Sequence, residues 1–210
     1  MEDISCIRGE YNHRPLESVS EDPFLQFNAW LKEAIERHVM EPTAMVLSTV
    51  TEAGSPASRM VLLKGLDKRG FSFFTNYNSA KGRQLDREAR AALLFFWPEL
   101  ARQVRIEGDV IKLPATESDA YFLSRPFGSQ ISAVISPQSD VICGREELED
   151  AKNVYINEFP NGPAERPDNW GGYILSPLRM EFWQGRPDRL HDRFQYQREG
   201  EFWRIVRLAP

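Results

Sequence analysis

Between Asp22 and His38 the apolar positions Phe24, Phe27, Leu31, Ala34 and Ile35 recur at steps of three and four. That period defines one face of a helix. Asp22 followed by Pro23 supplies an N-cap and a first helical position, so a helix is expected to about His38. The period then changes. "TAMVLSTVT", "ASRMVLLKGL", "FSFFTN", "AALLFFW" and "RQVRIEGDVIKL" are short, apolar or β-branched, and read as strands. "EAGSP" and "DKRG" are the turns between the first of them. "SAKGRQLDREA" reads as a short helix capped by Ser79. Pro114 opens a helical stretch, "PATESDAYFLSR", which Pro126 halts; "GSQISAVIS" suggests another, and "REELEDAKNVYINEF" is amphipathic. "PNGPAERPDN" is a loop, and the tail returns to strands in "WGGYILSP", "RMEFWQG", "DRFQYQ" and "FWRIVRL".

Antiparallel hairpins with interleaved helices predict a mainly β protein with helices, an α+β arrangement built on a β-barrel or curled sheet. A doubly wound sheet is disfavoured, and no glycine-rich phosphate loop follows any strand. Residues 1–20 are polar and read as a mobile N-terminal arm, with 21–210 as a single domain. A chain of 210 residues can bury one substantial core. The net charge of -5 argues against nucleic acid as a partner, because a phosphate backbone calls for a broad basic face. Cys6 and Cys143 have no metal-ligand spacing, so neither a metal site nor a disulfide is expected, and a reducing cytoplasm fits best. No apolar run suggests a signal peptide or a membrane partner.

Against that acidic background, "EFWQGRPDRLHDRF" gathers Arg186, Arg189, His191 and Arg193 beside Phe182, Trp183 and Phe194. It reads either as a charged hairpin whose Asp188 and Asp192 pair with its arginines, or as a pocket for something flat and anionic. Three other stretches carry donors. "SRMVLLKG" places Arg59 on one strand face with Val61 and Leu63, and Lys64 on the other with Met60 and Leu62; these could equally be strand-end charges reaching water. "FFTNYNSAKGRQL" ends a strand at Thr75 and starts a helix near Ser79 with Lys81 and Arg83 in its first turns, a phosphate cradle or an ordinary capped helix. "YFLSRPFGSQ" holds Tyr121, Ser124, Arg125 and Ser129, a donor-rich turn or a plain helix stop, and "SPQSD" is a weaker version. Together they suit two phosphates better than one. No second cluster of His or Cys and no Gly-x-Ser-x-Gly support a metalloenzyme or hydrolase.

Nine ordered motifs, "RMVLLKG", "FFTN", "RQVRIEG", "YFLSRP", "SPQS", "WGGY", "EFWQG", "RLHDR" and "RLAP", closely resemble the pyridoxine (pyridoxamine) 5'-phosphate oxidase family. The resemblance runs from about Asp22 to Pro210, with an echo at "IRGEY". It implies the FMN-binding split barrel, working as a homodimer with FMN in the cleft between subunits. It implies an FMN-binding strand Arg59, Met60, Val61, Leu62, Leu63 and Lys64, with Lys64 also reaching the substrate phosphate. Phe74, Thr75, Lys81, Gln103, Gln138, Ser139, Trp183 and Arg193 match further FMN contacts. Tyr121, Arg125 and Ser129 match a substrate-phosphate pocket, Arg189 and His191 line the pyridine ring as catalytic residues, and Arg8 and Tyr11 belong to an arm that closes over the substrate.

Three positions depart from the pattern: Ala80, where an Arg usually binds the flavin phosphate, Phe127 and Gly9. Arg83, three residues beyond Ala80, is expected to share its helix face and could substitute. The implied reaction oxidises pyridoxine 5'-phosphate or pyridoxamine 5'-phosphate to pyridoxal 5'-phosphate and reduces dioxygen to hydrogen peroxide. A binding protein for FMN or pyridoxal phosphate without turnover, and a split-barrel flavin reductase, are the alternatives.

Overall fold

The computed structural model describes residues 10–160 and 165–210. Helix α1 (Pro23–Glu36) starts where expected: the Asp22 carboxylate accepts from the Phe24 N–H at 2.7 Å, and Pro23 fills the first turn. It stops at Glu36, two residues early, and His38 turns the chain with φ 54°. The buried face of α1 carries Phe27, Trp30 and Ala34 into the barrel.

The strands are β1 (Ala44–Val50), β2 (Pro56–Leu62), β3 (Gly65–Asp67), β4 (Gly70–Asn76), β5 (Arg90–Trp97), β6 (Arg102–Lys112), β7 (Trp170–Gln184), β8 (Asp192–Glu199) and β9 (Phe202–Arg207). They form one antiparallel sheet in the order β2-β1-β5-β6-β7-β4-β3, with β8 added to β7 and β9 to β8. The two ends of that path, β2 and β3, are consecutive in the chain. "ASRMVLLKGL" was expected as one strand, but it breaks at Leu63 and Lys64 because these residues bond in two directions. The Leu63 N–H donates to the Thr43 carbonyl and the Lys64 N–H to the Ser72 carbonyl in β4, each at 2.9 Å. The sheet therefore curls until its first strand meets its last, giving the expected split barrel with helices around it.

"WGGYILSP" and "RMEFWQG" also differ from expectation: they form the single strand β7. Pro177 does not end the strand because it sits at a bulge, where β6 shifts register between Glu107 and Gly108 and a missing N–H disrupts no regular ladder. The backbones are so close there that a Cβ on Gly108 would fall 2.0 Å from the Ser176 carbonyl oxygen. Along the edge away from β6, the first part of β7 pairs with β4 and the last part with β8.

The remaining helices, α2 (Ala80–Arg87), α3 (Ala115–Ser124), α4 (Phe127–Ile135) and α5 (Arg145–Glu158), lie outside the barrel. Ser79 caps α2 by accepting from the Gly82 N–H at 3.3 Å. No helix among the described residues is long and apolar enough to cross a membrane. The described part of the N-terminal segment, residues 10–22, has no helix or strand.

The core is aromatic at its centre. Phe71 is fully buried and meets Phe24 with ring centroids 5.9 Å apart and Phe27 at 4.9 Å. Phe71→Ala should destabilise the fold by about 3–5 kcal/mol, the usual cost of deleting a buried aromatic ring, read as a lower midpoint in urea unfolding at unchanged slope.

Candidate functional site

A cleft of about 450 Å³ opens on the barrel rim. β2 contributes Met60, Val61 and Leu62, and the kink after it contributes Lys64. β4 contributes Phe74 and Thr75, and α2 presents Lys81 from its capped N-terminus. The end of α3 and the start of α4 bring Tyr121, Arg125 and Ser129, and the loop after α4 brings Gln138. Four stretches between Met60 and Gln138, each ambiguous alone, thus meet in one place.

Among the described residues the cleft is cationic without acidic partners. Lys81 Nζ bonds only to neutral acceptors: Thr75 Oγ1 at 3.2 Å, Gln138 Oε1 at 3.1 Å and Ser79 Oγ at 3.3 Å. Burial, and then the nearby Arg59 charge, holds its ammonium below the ordinary lysine pKa. Arg59 lies behind the cleft and donates to the Leu47 carbonyl, Thr49 Oγ1 and Gln84 Oε1, again all neutral. The Arg125 guanidinium stacks 4.6 Å over the Trp170 ring, and its Nη1 is buried with no hydrogen-bond partner. Burial is also the main effect on its pKa, pushing it down. A buried cation without a counter-charge is costly, so a group that supplies negative charge and acceptors belongs here.

One wall is an aromatic stack. Phe74 and Tyr121 lie 3.8 Å apart at 20°, and Tyr121 is nearly parallel to Trp170. Pro126 and Trp170 line the cleft although the sequence reading did not select them. The available signal was the glycine pair after Trp170, since glycine inside a strand marks close approach. A Cβ on Gly172 would meet the Phe74 ring at 2.8 Å.

Other expected residues lie elsewhere. Leu63 turns into the core. Ser139 follows Gln138 in the left-handed region, with φ 78°, and is exposed. Arg83 does not line the cleft; it donates to the Asn78 carbonyl and lies 3.8 Å from Asp140. Gln103, Trp183 and Arg193 face one another across β6, β7 and β8, so their side chains share one face of the sheet. Arg193 Nε donates to the buried Glu181 at 2.8 Å and its Nη1 to the Ala209 carbonyl at 2.7 Å. Trp183 packs against His191 at 4.7 Å and against Tyr11 at 5.6 Å. His191 Nδ1 accepts the Arg186 N–H at 3.1 Å, so the neutral ring carries its proton on Nε2. Arg189 is exposed, in the left-handed region with φ 61°. The charged-hairpin reading holds for one of its two aspartates: Arg186 pairs with Asp192 at 3.5 Å. Arg8 lies outside the described residues.

These residues form a second group, at the far end of β7 from the cleft. Trp170 and Trp183 stand near opposite ends of a 15-residue strand. At about 3.3 Å per residue, they are on the order of 40 Å apart along it. Within one chain the two groups do not share a pocket.

The nearly closed antiparallel barrel, with its cleft on the rim, places the chain in the FMN-binding split-barrel class. Residues 31–153 match the family model described as pyridoxamine 5'-phosphate oxidase. Residues 170–210 match that of the pyridoxine 5'-phosphate oxidase C-terminal dimerisation region. The chain belongs to the pyridoxamine 5'-phosphate oxidase family. It is 52% identical to a pyridoxine/pyridoxamine 5'-phosphate oxidase of Legionella pneumophila, over 99% of this chain and 97% of the relative. The enzyme of the same name from Synechocystis is 53% identical over 91% and 90%. Among solved structures, PhzG from Burkholderia lata 383, in complex with tetrahydrophenazine-1-carboxylic acid, superposes with a TM-score of 0.89 at 32% identity, covering 96% of this chain and all of that one. A Nostoc punctiforme FMN-binding protein related to pyridoxamine 5'-phosphate oxidase shares the fold, with a TM-score of 0.73 at 20% identity over 92% of this chain.

Burial first, then the charges of Arg189 and Arg193, lowers the His191 pKa from 6.5. In an NMR titration the ring should therefore protonate only below that value and stay neutral at pH 7. Arg189→Gln removes one of the depressing charges and should move the titration upward; a native curve in that variant would show that Arg189 does not act on the ring.

Proposed function

We propose that this chain is an FMN-dependent oxidase that converts pyridoxine 5'-phosphate or pyridoxamine 5'-phosphate to pyridoxal 5'-phosphate, with dioxygen reduced to hydrogen peroxide. The observation that carries the reading is the buried Arg125 Nη1, unpartnered among the described residues, in a cleft where Lys81 bonds to neutral acceptors. Such a donor set fits phosphate esters. Family membership and the relatives' names support the particular substrates.

The residues divide between two anions. Lys81, Thr75 and Gln138, with Arg59 behind them, suit the phosphate of FMN. Arg125, Tyr121, Ser129 and Lys64 suit the phosphate of the substrate. When bound, FMN would supply a two-electron acceptor for a hydride equivalent leaving C4' of the substrate. The protein's part is orientation: holding the phosphate, remote from the reacting carbon, fixes the rest of a rigid ring. Arg189 and His191 would orient that ring. His191 would present its Nε2–H to a ring substituent while Nδ1 is occupied by the Arg186 N–H.

The second group of residues supports a homodimer. Gln103, Trp183, Arg193 and His191 cannot reach their own chain's cleft, and the C-terminal residues match a dimerisation region. A two-fold dimer would bring the far end of β7 from one copy to the cleft of the other, twice over. Ala80 keeps a second reading open, an FMN or pyridoxal-phosphate binding protein without turnover, because Arg83 is held by Asn78 and Asp140 instead of replacing the missing arginine.

Two measurements test the proposal. Added FMN should bleach under anaerobic pyridoxine 5'-phosphate, and admitting air should restore its colour and yield peroxide. Bound flavin that never bleaches would favour the binding protein, and bleaching only by a nicotinamide donor would favour a reductase. In Arg125→Ala, substrate binding should weaken by about 2–5 kcal/mol, as for truncating one partner of a buried charge pair, while FMN affinity stays near native. Native kinetics in that variant would remove Arg125 from the phosphate site.

A further inference from the structure

We propose that Asp192 is a positioning residue, a carboxylate latch that fixes the segment bearing Tyr11 to the turn bearing Arg189 and His191. The inference rests on the site reading above and adds a residue that touches neither FMN nor substrate. Asp192 lies between His191 and Arg193 in sequence, and strand alternation directs its side chain away from that of Arg193. Its carboxylate is mostly buried and serves three groups. Oδ2 accepts the Leu16 N–H at 3.1 Å and lies 3.5 Å from Arg186 Nε; Oδ1 accepts from Arg207 Nη1 at 3.1 Å.

Both arginines also hold the segment itself. Arg186 Nη1 donates to the His13 carbonyl, and Arg207 Nη2 donates to the Leu16 carbonyl at 3.1 Å. One carboxylate thus neutralises two cations that grip the same short stretch of backbone, and grips that stretch directly as well. Residues 10–22 have no sheet or helix ladder, so these polar contacts hold them together with the packing of Leu16 and Val19 on the core and the Tyr196 hydroxyl on the Ser20 carbonyl.

Tyr11 is two residues from the first gripped carbonyl. Its ring stands edge-on to Trp183 at 5.6 Å and to His191 at 6.0 Å. The seat is shaped for it, because a Cβ on Gly185 would fall 2.7 Å from Tyr11 Cγ. Releasing Asp192 would free the backbone that places this ring, and would loosen Arg186, whose N–H holds His191 Nδ1.

The test uses the FMN-loaded full chain with Asp192→Ala and the near-isosteric Asp192→Asn. Hydrogen exchange of peptides covering residues 10–20 should accelerate about tenfold or more in Asp192→Ala, the loss of at least one charge-assisted hydrogen bond. Exchange in β5 and β6 should remain native. Asp192→Asn should fall between, because it keeps an acceptor for Leu16 but loses the charge, and it carries the test if the alanine variant does not fold. KM for pyridoxine 5'-phosphate should rise with Asp192→Ala and with Tyr11→Ala, and the double variant should be no worse than the worse single one. Native exchange across 10–20, or additive losses in the double variant, would overturn the latch. If Tyr11→Ala alone leaves KM native, the reading of the site has failed, and the exchange data still judge separately whether Asp192 holds the segment.

Discussion

The continuity of β7 governs the rest of the structure. A strand that pairs with β6 along most of its length, with β4 beside its first part and with β8 beside its last, cannot bend back on itself. It fixes the Trp170 end to the cleft and carries the Trp183 end away from it. The bulge at Pro177 lets one strand serve both neighbours: the register against β6 shifts there, and pairing continues on either side. Had the chain turned at Pro177, two short hairpins would have placed the two groups of donors independently, and no geometric reason for a second copy would exist.

The cleft shows how burial and charge divide the work. Many arginines of the surface pair with carboxylates, as Arg69 does with Asp67 and Glu117. Those of the cleft do not. Their partners are carbonyls, hydroxyls, amides and an aromatic face, which orient a cation without cancelling its charge. Trp170 illustrates the point: it supports Arg125 from below and leaves the guanidinium edge for hydrogen bonds. Such an arrangement is poor for stability and good for capturing an anion, because the attraction is not spent within the protein.

Much of this was legible from local chemistry. Asp22–Pro23 and Ser79 announced their helices because capping is decided within a few residues. The donor-rich stretches of the cleft were each visible, though what united them was not. What escaped the sequence depended on long-range register. Pro177 looked like a strand end because its bulge partner, Gly108, lies far away in the chain. Gln103, Trp183 and Arg193 form a row only once three strands are aligned. Asp192 was visible as a partner for a nearby arginine, but its bond to Leu16 spans 176 residues and leaves no local trace. Trp170 read as an ordinary strand aromatic because a cation stacked on its face does not alter the pattern around it.

The two ends of β7 also have a genetic meaning. In the proposed dimer each site draws its cleft from one copy and its β7 terminus from the other, so lesions fall into two complementation groups. A chain damaged at Arg125 and a chain damaged at Trp183 would each form two defective sites when paired with themselves. Paired with each other, they would place both lesions in one site and leave the second with no altered residue. Activity lost from each homodimer would return in the mixture, to about half per hybrid dimer, by the symmetry of an isologous pair alone.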